Sequence, residues 1–199
     1  MTTDVRPTLR ALSGAPAEPI ALRDSALILI DCQQTYREGV MLLDGVEPAL
    51  DECRDILLRA RAAGIPIFHI VHDAGAGSPY DAKAPIGQIA ASVAPLPGEP
   101  VVVKNYPNSF EKTDLDALLK KSGARNLTLV GFMTHMCVNS TTRMAFNLGY
   151  RNTVVAGATA TRTLPGPTGI VAASVLQNAS LAALSDLFAV VVRSGADVP

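Results

Sequence analysis

Charge of one sign is what this sequence has least of: 17 basic and 18 acidic side chains leave a formal net charge of -1. A nucleic-acid surface needs clustered Lys and Arg, and no basic run stands out from this near-neutral background. Long apolar runs are missing too, since no stretch approaches the ~20 consecutive apolar residues of a membrane-spanning helix. The N-terminus, MTTDVRPTLRALSG, scatters Asp4, Arg6 and Arg10 where an export signal would hold an apolar block. Cysteine is scarce, and Cys32, Cys53 and Cys137 are odd in number and without metal-ligand spacing. These absences predict a reduced, cytoplasmic protein with free thiols and with neither a nucleic-acid nor a membrane partner. The Gly-x-Gly-x-x-Gly turn and the P-loop are absent as well, which argues against a nucleotide-binding module.

What is present is a chain of 199 residues, 48% hydrophobic, enough for one domain with a sizeable core. Residues 1–24 contain Pro7, Pro16 and Pro19 and little periodicity, and read as an arm laid over a single domain at 25–199. From Ala26 onward short apolar runs alternate with segments of helical period. The runs are ALILI, IPIFHIV, VVVK, LTLVG, TVVA and LFAVVV. Between them, Val46, Ala49, Leu50, Cys53, Leu57 and Ala60 recur at three-and-four spacing up to Gly64. Thr113 and Asp116 suggest a capping box before Leu115, Leu118 and Leu119. MCVNSTTRMAFNLG and TGIVAASVLQNASLAALS read as further helices, and 75–100 as a loop region with a short helix near 86–92. Apolar runs without alternation are strands covered on both faces, and intervening helices imply parallel crossovers. The expected fold is α/β: a three-layer, doubly wound, Rossmann-like domain around a six-stranded parallel sheet.

In such a sheet ligands bind outside the carboxyl ends of the strands. Asp31 ends the first strand, Lys104 ends the third, and Cys137 follows the fourth. Each alone has an ordinary reading, as a cap, a solvated cation or a small core residue. On one edge together they make a proton carrier, a cation and a nucleophile. A helix start and a nearby Lys104 would favour the Cys137 thiolate. Asp31 would take the thiol proton and return it to a leaving amine. The reaction class this suggests is acyl transfer to water.

The segments ALILIDCQQTY, VVVKNYPNSF and LVGFMTHMCVNSTTRMAFNLGY resemble the isochorismatase-like cysteine hydrolase superfamily, with relatives among the nicotinamidases and N-carbamoylsarcosine amidohydrolases. The likeness runs from about residue 24 to 192, and its Gly-x-x-Thr-x-x-Cys element is Gly131, Thr134 and Cys137. The resemblance implies a catalytic triad of Asp31, Lys104 and Cys137, a cis peptide between Phe132 and Met133, and an oxyanion hole from the amides of Met133 and Cys137. It also implies a homodimer or homotetramer acting on a small-molecule substrate. Residues 38–60 hold no histidine where nicotinamidases carry a metal cluster, so neither metal nor cofactor is expected. Cys137 points to hydrolysis of an amide, ureide or lactam C–N bond through a thioester. The alternative is vinyl-ether hydrolysis with Asp31 as acid, and a non-catalytic scaffold ranks last. Gln33, Tyr36, His72, Tyr106, Phe110, Thr134 and His135 are candidate pocket residues. Cys32 and Cys53 are expected in the core, as is His69.

Overall fold

Five consecutive apolar residues, Ala26–Ile30, form the first strand, β1, and all five are buried. Burial on both faces is possible because the strand alternates its loyalties. Leu27 and Leu29 join one core cluster, while Ala26, Ile28 and Ile30 join another on the opposite face of the sheet. In the computed structural model, which describes residues 5–199, β1 is preceded by one turn of helix, α1 (Leu9–Leu12). It is followed by α2 (Val46–Ala63), β2 (Ile67–His72), β3 (Val101–Lys104), α3 (Leu115–Lys121) and β4 (Asn126–Phe132). Then come α4 (Asn139–Asn147), β5 (Arg151–Ala160), β6 (Leu164–Gly166), β7 (Gly169–Val171), α5 (Ala173–Ser185) and β8 (Val190–Val192). The main sheet has six strands in the order β3-β2-β1-β4-β5-β8, and every neighbouring pair is parallel. This is the three-layer α/β architecture expected from the run pattern.

The two faces differ in their cover. Val46, Ala49, Leu50, Cys53, Ile56, Leu57 and Ala60 of α2 pack on one side. Leu115 and Leu119 of α3, Ala145 of α4 and Leu184 of α5 pack on the other. The α2 stripe is the three-and-four pattern of the sequence, and Gly64 ends the helix in the left-handed region at φ +65°. Cys32 and Cys53 are free, buried thiols in the α2-side core.

Four local expectations are corrected. The proposed box at Thr113 does not form: Asp114 caps α3 without a side-chain bond, and Asp116 binds Lys120 and the Tyr150 hydroxyl instead. The fifth strand does not stop at Ala156 but runs on to Ala160. Ile170 and Val171 are not helical. They form β7, paired antiparallel with β6, and α5 begins only at Ala173. Near 86–92 there are two short 3-10 turns rather than one helix. Arm residues 1–4, Asp4 among them, lie outside the described residues. The remainder of the arm is tied to the chain's end: Leu9 N–H donates to Asp186 Oδ1 (2.9 Å), and Leu22 N–H donates to the Pro199 carbonyl (2.7 Å).

At the amino edge of the sheet, His69 is 1% exposed and its Nε2 lies 2.9 Å from Glu99 Oε2. Arg61 grips the same carboxylate at 2.8 and 2.9 Å, and the Leu96 N–H donates to it at 2.9 Å. Burial lowers the His69 pKa, so the neutral ring donates its N–H to the carboxylate. Arg61, with Leu96 and His69, holds Glu99 down from 4.5 to about 2. A depressed carboxyl pKa stabilises the fold above the unfolded value, and that stability is lost as pH falls from 4.5 towards 2. Glu99→Gln should therefore lower the urea midpoint at pH 7 and flatten the acid limb of the stability curve. An unchanged midpoint would show that the network contributes nothing.

Candidate active site

Three strands deliver the site. Lys104, the last residue of β3, is 1% exposed and directs its Nζ inward. Asp31 follows β1 in the left-handed region at φ +50°, which breaks strand alternation. Its side chain meets Lys104 while Cys32 drops into the α2-side core. Lys104 Nζ donates to Asp31 Oδ2 at 2.8 Å and to Cys137 Sγ at 3.4 Å. Its third neighbour is His72 Nδ1, at 3.2 Å. Residues spread over more than a hundred positions thus meet at a single nitrogen atom.

Cys137 reaches this point through an unusual turn. Thr134–Val138 is π-helical, and the Met133 carbonyl accepts from the Met136 N–H (3.0 Å) and the Val138 N–H (3.2 Å). Neither bond uses the Cys137 N–H, which lies between them in sequence. The Phe132–Met133 peptide is cis. Immediately before it, Gly131 has φ +107°, and a Cβ there would stand 2.1 Å from the Ile30 carbonyl oxygen. Glycine is required because β4 passes this close to the end of β1, beside Asp31.

Cys137 is 4% exposed, and the site's electrostatics follow from that. Burial, then the Asp31 carboxylate, push its thiol well above the ordinary range, and Lys104 only partly opposes them. Burial and the Asp31 carboxylate thus oppose the thiolate that a helix start and a lysine would favour. Asp31 Oδ1 is buried without a hydrogen-bond partner among the described residues, which leaves it as the free acceptor beside that thiol.

The other candidates separate. Gln33 is 1% exposed and fully engaged: its Nε2 donates to the His72 and Gly87 carbonyls, and its Oε1 accepts the His72 N–H. Tyr36 is buried, with Tyr80 and Phe132 edge-on at 5.8 and 5.7 Å. His72 is half-buried and also edge-on to Tyr80, at 4.9 Å. His135 Nδ1 lies 2.5 Å from Thr161 Oγ1. Three candidates make contacts away from the cluster. Tyr106 is exposed, its hydroxyl accepting from Lys112 Nζ at 3.0 Å. Phe110, partly buried, stacks on Tyr150 and packs against the core. Thr134 donates to the Ala160 carbonyl and anchors the turn to β5. Sequence reasoning missed Tyr80 and Arg162. Arg162 holds the Val40 carbonyl and Met41 Sδ through Nη1, and its Nε is buried without a partner among the described residues. Tyr80 lies in a Gly/Pro-rich stretch without periodicity, so nothing local marked it.

The architecture is a doubly wound parallel sheet with a thiol, a carboxylate and an ammonium converging beyond its carboxyl edge. The family model described as the isochorismatase domain matches residues 25–195, and the chain belongs to the isochorismatase family of hydrolases. It is similar to a secreted isochorismatase effector, Isc1, of Verticillium dahliae, at 35% identity over 188 residues, covering 94% of this chain and 97% of that one. It is also similar to the ureidoacrylate amidohydrolase RutB of Stutzerimonas stutzeri, at 32% identity, covering 73% and 74% of the two chains. Among solved structures it is similar to an isochorismatase from Pseudomonas putida KT2440, with TM-score 0.93, 35% identity and coverage of 96% and 99%. No helix among the described residues is long and apolar enough to cross a membrane.

The raised thiol pKa makes a counterintuitive prediction. Asp31→Asn removes the charge that disfavours the thiolate and leaves Lys104, so iodoacetamide should label Cys137 at least about fivefold faster at pH 8 than in the parent. The rate is read by peptide mass spectrometry, which separates Cys137 from the buried Cys32 and Cys53. Slower labelling in the variant would reverse the sign assigned to Asp31.

Proposed function

We propose that this protein is a cysteine hydrolase of small-molecule C–N bonds other than peptide bonds: amides, ureides or lactams. The observation that carries the reading is the Lys104 ammonium, 2.8 Å from Asp31 and 3.4 Å from Cys137, beside an Asp31 oxygen with no hydrogen-bond partner among the described residues. The thiol proton passes to Asp31 as Sγ attacks the carbonyl carbon. The amides of Met133 and Cys137 receive the developing oxyanion. The C–N bond breaks, and the nitrogen leaves with the proton held by Asp31. A water molecule then gives a proton to Asp31 and its oxygen to the thioester carbon, and Sγ departs and is reprotonated. No external oxidant, reductant or cofactor enters this balance. The similarity to a ureidoacrylate amidohydrolase supports the same bond class.

The second reading is vinyl-ether hydrolysis with Asp31 as acid, favoured by the relatives named isochorismatase. A homodimer or homotetramer fits the exposed Ile170 and Val175, which are 82% and 59% accessible. The cytoplasm fits three thiols that are free and buried. The fungal relative named as secreted makes the compartment a question for fractionation.

An ammonia-release screen over amides, ureides and lactams, run beside an isochorismate assay, separates the two chemistries. Under the thioester mechanism Cys137→Ala should lower kcat at least about a thousandfold, the scale of losing an activated nucleophile, with the thermal midpoint little changed. An ether hydrolase would keep most of its rate in that variant and lose it in Asp31→Asn.

A further inference from the structure

The backbone ladder between β1 and β2 stops at the Ile30–Ile70 pair. Two residues further along β2, a side chain replaces the missing strand. The Gln33 carboxamide accepts the His72 N–H at 2.9 Å and donates to the His72 carbonyl at 3.0 Å. On the other side, His72 and Lys104 are register partners between β2 and β3, so their side chains leave the sheet on one face. His72 is therefore fixed from both sides, directly beside the lysine.

A lysine ammonium has three donors and no acceptor. Lys104 Nζ has three neighbours: Asp31 Oδ2, His72 Nδ1 and Cys137 Sγ, at 2.8, 3.2 and 3.4 Å. Donors and acceptors match one to one. Because the ammonium only donates, Nδ1 must present its lone pair and the ring proton must sit on Nε2.

We infer that His72 is a positioning residue whose Nδ1 lone pair holds the Lys104 ammonium between the Asp31 carboxylate and the Cys137 sulfur, in the neutral Nε2–H tautomer. What Lys104 serves rests on the cysteine-hydrolase reading, whereas the tautomer does not. The groups facing His72 are Lys104 from β3, Asp31 beyond β1, Asp73 beyond β2 and Tyr80 from the following loop. Burial and Lys104 lower its pKa below 6.5, and Asp31, Asp73 and a hydrogen bond to the Tyr106 backbone only partly oppose them. His72 is thus neutral at pH 7. As pH falls through that lowered value, the third acceptor disappears and an imidazolium faces the ammonium, so activity is lost on the acid side.

Long-range proton–nitrogen NMR on the histidine-labelled full chain tests the tautomer in the resting enzyme. The expected result is His72 protonated at Nε2 and bare at Nδ1, with a midpoint below 6.5 that rises in Lys104→Met. A proton on Nδ1, or a midpoint indifferent to Lys104→Met, overturns the proposal. Kinetics follow on whichever amide or ureide releases most ammonia. His72→Leu should lower kcat about a hundredfold, the scale of a 1 Å misplacement, with KM little changed. His72→Asn, whose Oδ1 replaces the Nδ1 acceptor, should recover most of that loss and remove the acid limb. Wild-type kcat and pH profile in His72→Leu, or no recovery in His72→Asn, also overturns it. A screen in which no C–N bond is cleaved would sink the hydrolase reading and leave the NMR result to decide the tautomer.

Discussion

A buried ammonium is the constraint on which the rest of this molecule depends. Moving a charged lysine and a charged aspartate out of water costs several kcal/mol per ion, and their attraction repays it only if the remaining donors and lone pairs are satisfied. Lys104 and Asp31 have fully buried side chains. The cost is offset by geometry supplied from three strands and one turn, so the ends of β1, β2, β3 and β4 are fixed relative to one another by a polar cluster as well as by their ladders. Losing either ion would leave the other buried and uncompensated, a penalty of about 3–5 kcal/mol. The features that look eccentric at this edge all serve the cluster. Asp31 has positive φ, Gly131 lets two backbones touch, and the π turn brings Cys137 to the sulfur's position.

The core of the fold was legible in the sequence because it rests on local signals that tertiary context reinforces. Runs such as ALILI and LTLVG are too short and too uniformly apolar for surface strands, and the α2 stripe repeats at helical period up to Gly64. Parallel topology follows from alternation of the two patterns, and the carboxyl-edge rule alone picks out Asp31, Lys104 and Cys137. The departures occur where local signals compete. Ile170 and Val171 continue the apolar content of α5, yet Gly169 at φ +136° turns the chain into a hairpin. Thr113 has the right spacing for a capping box, but its hydroxyl donates to the Ser109 carbonyl, and Asp116 is drawn away by Lys120 and Tyr150.

The surroundings of the Asp31, Lys104 and Cys137 cluster were much less legible, for a different reason. Whether Tyr106 or Phe110 lines a pocket depends on contacts that no short window contains. Phe110 finds Tyr150 forty positions away, and Tyr106 finds Lys112 across a loop. Tyr80 sits between Tyr36 and His72 without any periodic neighbour to announce it. Gln33 was recognisable as a polar residue near the site, but its real task, completing the sheet beside His72, is visible only once the register is known.

Charge counting explains why the thiolate is disfavoured in the resting site. With Lys104 charged, Asp31 ionised and Cys137 protonated, the buried cluster carries no net charge, and neutral His72 adds none. An ionised sulfur beside an ionised Asp31 would leave an uncompensated anion out of water, which is the state that burial and the carboxylate together disfavour. Moving the proton from sulfur to Asp31 changes which atom bears the negative charge but leaves the total at zero. Under the proposed mechanism, the nucleophile can therefore be formed inside the site without bringing in a counterion or solvent. The same accounting gives His72 its narrow role. Its lone pair completes the ammonium's coordination at no cost in charge, and a proton on that ring would be the one change that leaves the cluster out of balance.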